Sequence, residues 1–190
     1  MTNLISPKIL LACPLLFCLV NNAWGQSVAP IPIDKITEKI TYIGKVLSPG
    51  KSQGDLLRYA QAWAAGVAAE KPAVAATKLS GNTLTVTATR LLAYICAGKS
   101  VTYPLYYTAK VRTHAGYFNY EVTDLQLLLP NNPIQAAEPY ILYSSSQNQE
   151  SAQCISNARQ AFTEIMASII TEMQTIILNK SNVNQKKAAK

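Results

Sequence analysis

The sequence predicts one α+β domain in which helices cover one face of a curved antiparallel sheet of about five strands. Apolar and polar residues alternate in successive segments between residues 83 and 129, as in half-buried strands separated by turns. Two other segments, 56–67 and 154–178, repeat apolar residues at helical spacing. The chain has 190 residues, of which 49% are hydrophobic, so it has enough apolar material for one core. The expected order of elements is β-α-β-β-β-β-α.

Residues 1–25 have the pattern of a cleaved secretory signal peptide. Lys8 precedes an apolar run from Ile9 to Val20, and Ala23-Trp24-Gly25 places small residues where a signal peptidase cleaves. A membrane anchor is disfavoured, because this run is interrupted by Pro14 and is shorter than the roughly 20 residues that cross a bilayer. We therefore expect a periplasmic or secreted mature chain without a further transmembrane segment.

A lipoprotein is the alternative for this leader. Leu10-Leu11-Ala12-Cys13 is similar to a lipid-attachment box, but cleavage there would leave residues 14–20 as a hydrophobic stub.

The mature chain begins with an extended lead-in at 26–37, followed by the domain at 38–178. A β-branched and aromatic run at 39–47 predicts the first strand, which ends at Ser48-Pro49-Gly50. Ser52 or Asp55 caps the helix that follows, and Lys71-Pro72 ends it. Its apolar face includes Leu56, Ala60, Trp63 and Val67.

Four strands follow in antiparallel series. Ser80-Gly81-Asn82 and His114-Ala115-Gly116 are strong turn signals between them. The apolar parity changes beyond Arg90, which predicts a β-bulge at that position. The predicted strands are 73–79, 83–95, 101–112 and 117–129.

The last third of the chain predicts a loop, a long helix and a tail. Residues 130–150 contain three prolines and a serine run, which favours a surface loop held by Tyr140, Ile141 and Tyr143. Residues 151–178 carry a long apolar stripe that covers the sheet of the same subunit or pairs with a neighbouring one. Residues 179–190 form a polar, basic tail that we expect to be frayed.

Removal of the leader leaves Cys96 and Cys154, which predicts one disulfide in an oxidising compartment. Two buried thiols are the alternative, because sequence alone does not bring their Cα atoms within bonding range. Neither cysteine has a neighbouring histidine or a Cys-x-x-Cys partner, which disfavours a redox or zinc role.

The composition disfavours nucleic-acid binding and the common catalytic chemistries. The net charge is +7, but Lys8 and four lysines near the C-terminus supply five of the 17 cations, leaving 12 against 10 carboxylates. His114 is the single histidine and is expected to be a solvated turn residue. The chain has no metal-ligand set, no nucleophile elbow and no nucleotide-binding glycine loop. We expect no catalytic residue, no cofactor and no metal.

Three segments carry a family resemblance. Ile40 to Leu47, the helix with Trp63, and Gly116-Tyr117-Phe118-Asn119-Tyr120-Glu121-Val122-Thr123-Asp124 resemble a bacterial domain-of-unknown-function family with a TBP-like fold. The resemblance covers about residues 38–128 and implies a small exported protein of a Gram-negative bacterium. It supplies a fold and a compartment and no activity.

Tyrosines are concentrated between residues 94 and 120, where they predict a binding surface. Four aromatic residues share the apolar parity and are expected beneath the helices: Tyr103, Tyr107, Phe118 and Tyr120. The candidate surface consists of Tyr106, Tyr117, Lys110 and Arg112.

These observations predict an exported, non-catalytic module that binds a small apolar ligand, a peptide or an envelope protein. The alternative is an oligomeric structural or assembly protein of the envelope that uses its long C-terminal helix.

The leader gives the first testable prediction. The protein isolated from the periplasm is expected to begin at Gln26, because Gly25 is the residue before the predicted cleavage site. The intact mass of the purified chain measures this directly. A mass that includes residues 1–25, or a lipid on Cys13, would contradict it.

Overall fold

The computed structural model describes residues 30–69, 76–130, 133–142 and 149–188, with side chains at 149 and 151–178 in the last range. The predicted signal peptide, the start of the lead-in, Lys71-Pro72 and Tyr143 lie outside the described residues. The elements are β1 (Tyr42–Leu47), α1 (Gln53–Ala69), β2 (Ala76–Ser80), β3 (Thr83–Cys96), β4 (Lys99–His114), β5 (Tyr117–Leu128), β6 (Ile134–Ala136), α2 (Glu138–Ile141) and α3 (Gln149–Ala188).

The strands form one antiparallel sheet in the order β1-β5-β4-β3-β2. β1 pairs with the first half of β5, and the short β6 pairs with its end, from Gln126 to Leu128. Both long helices contact the sheet, α3 over β3 and α1 over β3 and β4. The predicted α+β class, an antiparallel sheet with helices, is therefore confirmed.

Ser52 begins α1 through a pair of local hydrogen bonds. Its Oγ accepts the backbone N–H of Asp55 at 3.1 Å and donates to the Asp55 carboxylate at 2.8 Å. This satisfies a backbone donor at the helix start, as a capping serine does. The helix then buries Leu56, Trp63 and Val67, as its spacing predicts.

The aromatic residues of the inner face lie beneath the helices. Tyr107 and Phe118 are buried, and Tyr103 and Tyr120 are partly buried against the same core. Tyr120 lies over Gly44 of β1, where any Cβ would overlap the ring. The glycine therefore admits the aromatic ring at this cross-strand position.

α3 covers the sheet with a stripe of six buried residues and continues beyond its predicted end. By length and composition alone, Ser151–Leu178 could also span a bilayer, and a helix that packs on a core meets the same test. The tail predicted to be frayed is helical to Ala188, which corrects that prediction. The stripe is Ala158, Phe162, Met166, Ile169, Met173 and Ile177.

The β-bulge lies in β5 rather than in β3, which corrects its predicted position. β3 and β4 pair without a shift past Arg90, whose side chain faces α3 and binds Glu172 at 2.7 Å. The apparent change of parity arises because Leu91 and Ile95 are exposed on the opposite face, at 47% and 53%.

The register of β4 and β5 shifts between Tyr106 and Thr108. Opposite this shift, Asp124 has a positive φ of 52°, a conformation that aspartate tolerates better than most residues. Lys39 Nζ contacts the Asp124 carboxylate at 2.7 Å.

Residues 130–150 contain β6 and α2, so the predicted surface loop is wrong for the part that the structure describes. Ala137 and Ile141 are fully buried, and Glu138 accepts the backbone N–H of Ile40 at 2.9 Å. Arg159 of α3 donates to the carbonyls of Ile141 and Leu142, at 2.6 and 2.8 Å. Burial of apolar side chains thus orders a segment whose composition is typical of loops.

A disulfide joins Cys96 at the end of β3 to Cys154 in α3, with a Cα–Cα distance of 4.7 Å. The predicted pairing is confirmed. Asn157 donates to the carbonyl of Ile95 at 2.7 Å and adds a second link between the same elements.

Loss of the disulfide is expected to destabilise the fold strongly. The bond closes a loop of 58 residues, and the entropy gained by the unfolded chain lowers the free energy of unfolding by about 4 kcal/mol. Urea denaturation of the Cys96→Ser/Cys154→Ser variant measures this. A reductant should destabilise the wild type and leave the double variant unchanged, and equal stability of the two proteins would contradict the prediction.

Tyr42→Phe is expected to protect the fold at high pH. Burial raises the pKa of Tyr42 from 10.0 to about 12, so the unfolded chain loses this proton first. Stability is then lost as the pH rises from 10 to 12. The Tyr42 hydroxyl has no hydrogen-bond partner among the described residues, so the variant should match the wild type at neutral pH. Chemical denaturation across the alkaline range measures the difference, and parallel curves would refute it.

Candidate binding surface on the open face of the sheet

The face of the sheet opposite the helices, here called the open face, carries polar and charged side chains. Alternation along each strand places one set of residues on the core and the other on this face. The open face includes Ile43, Lys45 and Leu47 of β1, Tyr117, Asn119 and Glu121 of β5, Tyr106, Thr108, Lys110 and Arg112 of β4, and Thr83, Thr85, Thr87 and Thr89 of β3.

Two rows of side chains cross the open face. The first row is set by the pairs of Asn119 with Lys45 on one side and with Arg112 on the other. Arg112 also lies opposite Thr83 and donates to its hydroxyl at 3.3 Å. Two cationic side chains therefore flank a neutral amide in this row.

The second row runs beside the first. It contains Ile43, Glu121, Lys110 and Thr85 on neighbouring strands, and it ends at Lys78 of β2. Lys110 Nζ lies 3.2 Å from the Glu121 carboxylate. The single carboxylate of the two rows is thus already paired with a lysine.

Tyr117 stands at the end of the rows, between a cation and an aromatic ring. Lys45 Nζ lies 4.0 Å from the centre of the Tyr117 ring, a favourable cation–π geometry. His114 stacks on the same tyrosine with ring centres 4.5 Å apart. His114 was predicted to be a solvated turn residue, and the structure places it at the end of β4 as a stacking partner.

The rows enclose a shallow, open depression of about 150 Å³. Two walls are cationic, from Lys110 and Arg112, and the others are neutral, acidic or apolar. The depression is lined by Ile43, Thr83, Lys110, Arg112, Asn119, Tyr120 and Glu121. It is too open to enclose a small apolar ligand and suits contact with part of a larger molecule.

The structure brings together three of the four predicted surface residues. Lys110 and Arg112 line the depression, and Tyr117 lies two residues before Asn119 on β5, on the same face of the sheet. Tyr106 lies four residues from Lys110 on β4, about 13 Å away along the strand, and pairs with Thr89 and Gln126. Tyr106 therefore belongs to a different part of the open face.

Sequence reasoning missed Lys45, Ile43 and Lys78. The alternation in β1 could have shown that Ile43 and Lys45 share a face, because Tyr42 and Val46 have the other parity. The sequence does not show that β1 pairs with β5, which is what brings these residues beside Asn119 and Glu121.

The open face is positively charged. Lys45, Lys78, Lys110 and Arg112 project from it, against the paired carboxylate of Glu121. Among the described residues, no carboxylate lies within ion-pairing distance of Lys45, Lys78 or Arg112.

In the same described part of the chain, no group of three histidine, cysteine or acidic residues is placed to hold a metal ion.

An antiparallel sheet of this order with helices on one face is the TBP-like α+β fold, which confirms the predicted fold. Two solved structures share it. One is a DUF4468 family protein from Bacteroides ovatus, with a TM-score of 0.63, 12% identity, and coverage of 76% of this chain and 90% of that one. The other is a TBP-like protein from Parabacteroides distasonis, with a TM-score of 0.54, 13% identity, and coverage of 76% and 97%.

These structures support the predicted resemblance to a domain-of-unknown-function family with a TBP-like fold. At these identities they show the fold alone. No family model matches the chain, and no curated protein matches it.

Proposed function

We propose that the mature chain is an exported, non-catalytic module that binds a partner through the open face of its sheet. The observation that carries the proposal is the set of cations on that face, Lys45, Lys78 and Arg112, which have no carboxylate partner among the described residues. The signal-peptide pattern and the disulfide support export, since disulfides persist in oxidising compartments.

The shape of the surface favours a macromolecular partner. The depression is open and shallow and has both cationic and apolar walls. Ile43 and Leu47 remain 69% and 66% exposed beside it. A peptide segment or an envelope protein can contact such a surface over several strands, whereas a small apolar ligand would remain largely in water.

The side chains of the surface support binding rather than catalysis. Lysine, arginine, asparagine and threonine supply hydrogen-bond donors and positive charge. Glu121 is the single carboxylate of the two rows, and it is paired with Lys110. The rows therefore hold no second carboxylate with which Glu121 could share acid–base catalysis.

The helix-mediated oligomer receives less support. The apolar stripe of α3 is buried on the sheet of its own subunit. Within the described side chains of α3, one group at its surface consists of four polar or charged residues and one alanine: Glu164, Ala167, Ser168, Thr171 and Glu172. A helix seam between subunits would need apolar residues there.

Site-specific photo-crosslinking in cells that produce the protein tests the proposal. A photoreactive phenylalanine at position 119 lies in the centre of the open face, and the same group at position 171 lies on the outer side of α3 as a matched control. We expect a discrete adduct at position 119 only, and a lower yield of this adduct when Arg112→Ala is added, because this removes a cation of the surface.

The adducts also separate the two functions. An adduct at position 171 alone, with the mass of two copies of the chain, would favour the oligomeric alternative, which uses α3. Equal adducts at both positions, or none at position 119, would refute binding through the open face.

A further inference from the structure

The cations of the open face lie on every second strand. Lys45 is on β1, Lys110 and Arg112 are on β4, and Lys78 is on β2, with β5 and β3 between them. Neighbouring strands are about 4.8 Å apart, so the positive charges recur about every 10 Å across the sheet. Lys45 and Arg112 lie in the first row, and Lys110 and Lys78 lie in the second, so the line through the cations crosses the strands obliquely and passes over the depression.

Hydrogen-bond donors occupy the strands between the cations. Asn119 lies between Lys45 and Arg112, and Thr85 lies between Lys110 and Lys78. Amide and hydroxyl groups can donate to backbone carbonyls of a ligand. The surface therefore offers alternating sites, one for a negative charge and one for a carbonyl oxygen.

The positive charge disfavours face-to-face contact between the open faces of two copies of this chain. Two open faces in contact would bring like charges together, which is unfavourable. Exposed Ile43 and Leu47 lie beside Lys45 on β1 and supply apolar contacts. Aliphatic side chains next to cations suit a peptide with both acidic and apolar residues better than an anionic sugar polymer.

We propose that the open face binds an extended acidic segment of a partner protein, laid across the strands in a polyproline II conformation with a carboxylate at every third residue. This rests on the proposed function and adds the class of partner. A polyproline II helix rises about 3.1 Å per residue, so every third residue recurs after about 9 Å, close to the spacing of the cations. Its backbone carbonyls have no internal hydrogen bonds and are free to accept from Asn119 and Thr85.

Synthetic peptides test the spacing directly. The probe is a dodecapeptide of four Glu-Pro-Pro repeats, and its matched controls are the Gln-Pro-Pro peptide and a peptide of the same composition with its glutamates contiguous. Isothermal titration of the disulfide-bonded mature chain is expected to show binding of the repeat peptide, weaker binding of the contiguous one and none of the glutamine peptide. The affinity should fall as salt is added.

Charge variants test the geometry. Lys78→Ala is expected to weaken binding of the repeat peptide about threefold to fivefold, as loss of one exposed charge pair does. Lys78 is not among the residues that line the depression, so only a ligand that spans the sheet would sense it. Lys99→Ala, an exposed lysine at the start of β4, is the matched control and should change nothing.

Glu121→Gln should strengthen binding by a similar factor, since it removes the negative charge of the rows and leaves Lys110 unpaired. A merely structural role of Glu121 would not produce a gain.

Each outcome supports or overturns the inference. Equal affinity for the repeat and contiguous peptides, or an unchanged affinity in Lys78→Ala, would overturn the proposed match between carboxylates at every third residue and the cations of the open face. Tighter binding to a uronic-acid oligosaccharide or to phosphatidylglycerol vesicles would overturn the class of partner. If no peptide binds while the adduct at position 119 persists, this inference fails and the proposed function stands.

Discussion

Burial of one face of the sheet by two helices is the constraint on which the rest of the structure depends. The largest fully buried side chains come from both layers: Trp63 from α1, Phe162 from α3, and Tyr107 and Phe118 from the sheet. Burial of a large apolar side chain stabilises a fold by about 1.5–3 kcal/mol. Because the helices supply one apolar layer, the strands need only one apolar face, and the other is free to carry charge.

The bulge in β5 keeps that arrangement intact along a long strand. Before the bulge the buried apolar residues have even numbers, Phe118 and Val122. After it they have odd numbers, Leu125 and Leu127. The extra residue at Asp124 returns the apolar side chains to the core. The end of β5 can then pair with β6, and α2 can bury Ile141 beneath α3.

Local sequence patterns were sufficient to predict most helices and strands of this fold. They do not predict which strands pair with each other. The strict alternation of β4 and the helical stripe with Trp63 depend on neighbours along the chain. The bulge was predicted at the wrong place because Arg90 is a charged residue on the buried face and Leu91 is an apolar residue on the exposed face. In the sequence this looks like a change in which residues face the core. The structure explains it, because Arg90 pairs with Glu172 of α3. The candidate surface was found only in part, since Lys45 joins it through the β1–β5 register.

Three cations among the described residues link elements of the fold. Arg90 binds Glu172 between sheet and helix, and Lys39 binds Asp124 at the bulge. Arg159 donates to the carbonyls that end α2. Each of these three cations therefore contacts a residue of another part of the fold.

Three cations of the open face, Lys45, Lys78 and Arg112, form no ion pair with another element of the described chain. Lys78 is exposed on an edge strand, and Arg112 contacts the neutral hydroxyl of Thr83. Charge on an exposed edge strand hinders pairing with other chains, which explains Lys78 on β2 and Lys45 on β1, the strands at the two ends of the order. It does not explain Arg112, because β4 lies in the middle of the sheet. Positive charge that has no carboxylate partner among the described residues, set at regular spacing on one face of the sheet, suits the binding of an acidic partner.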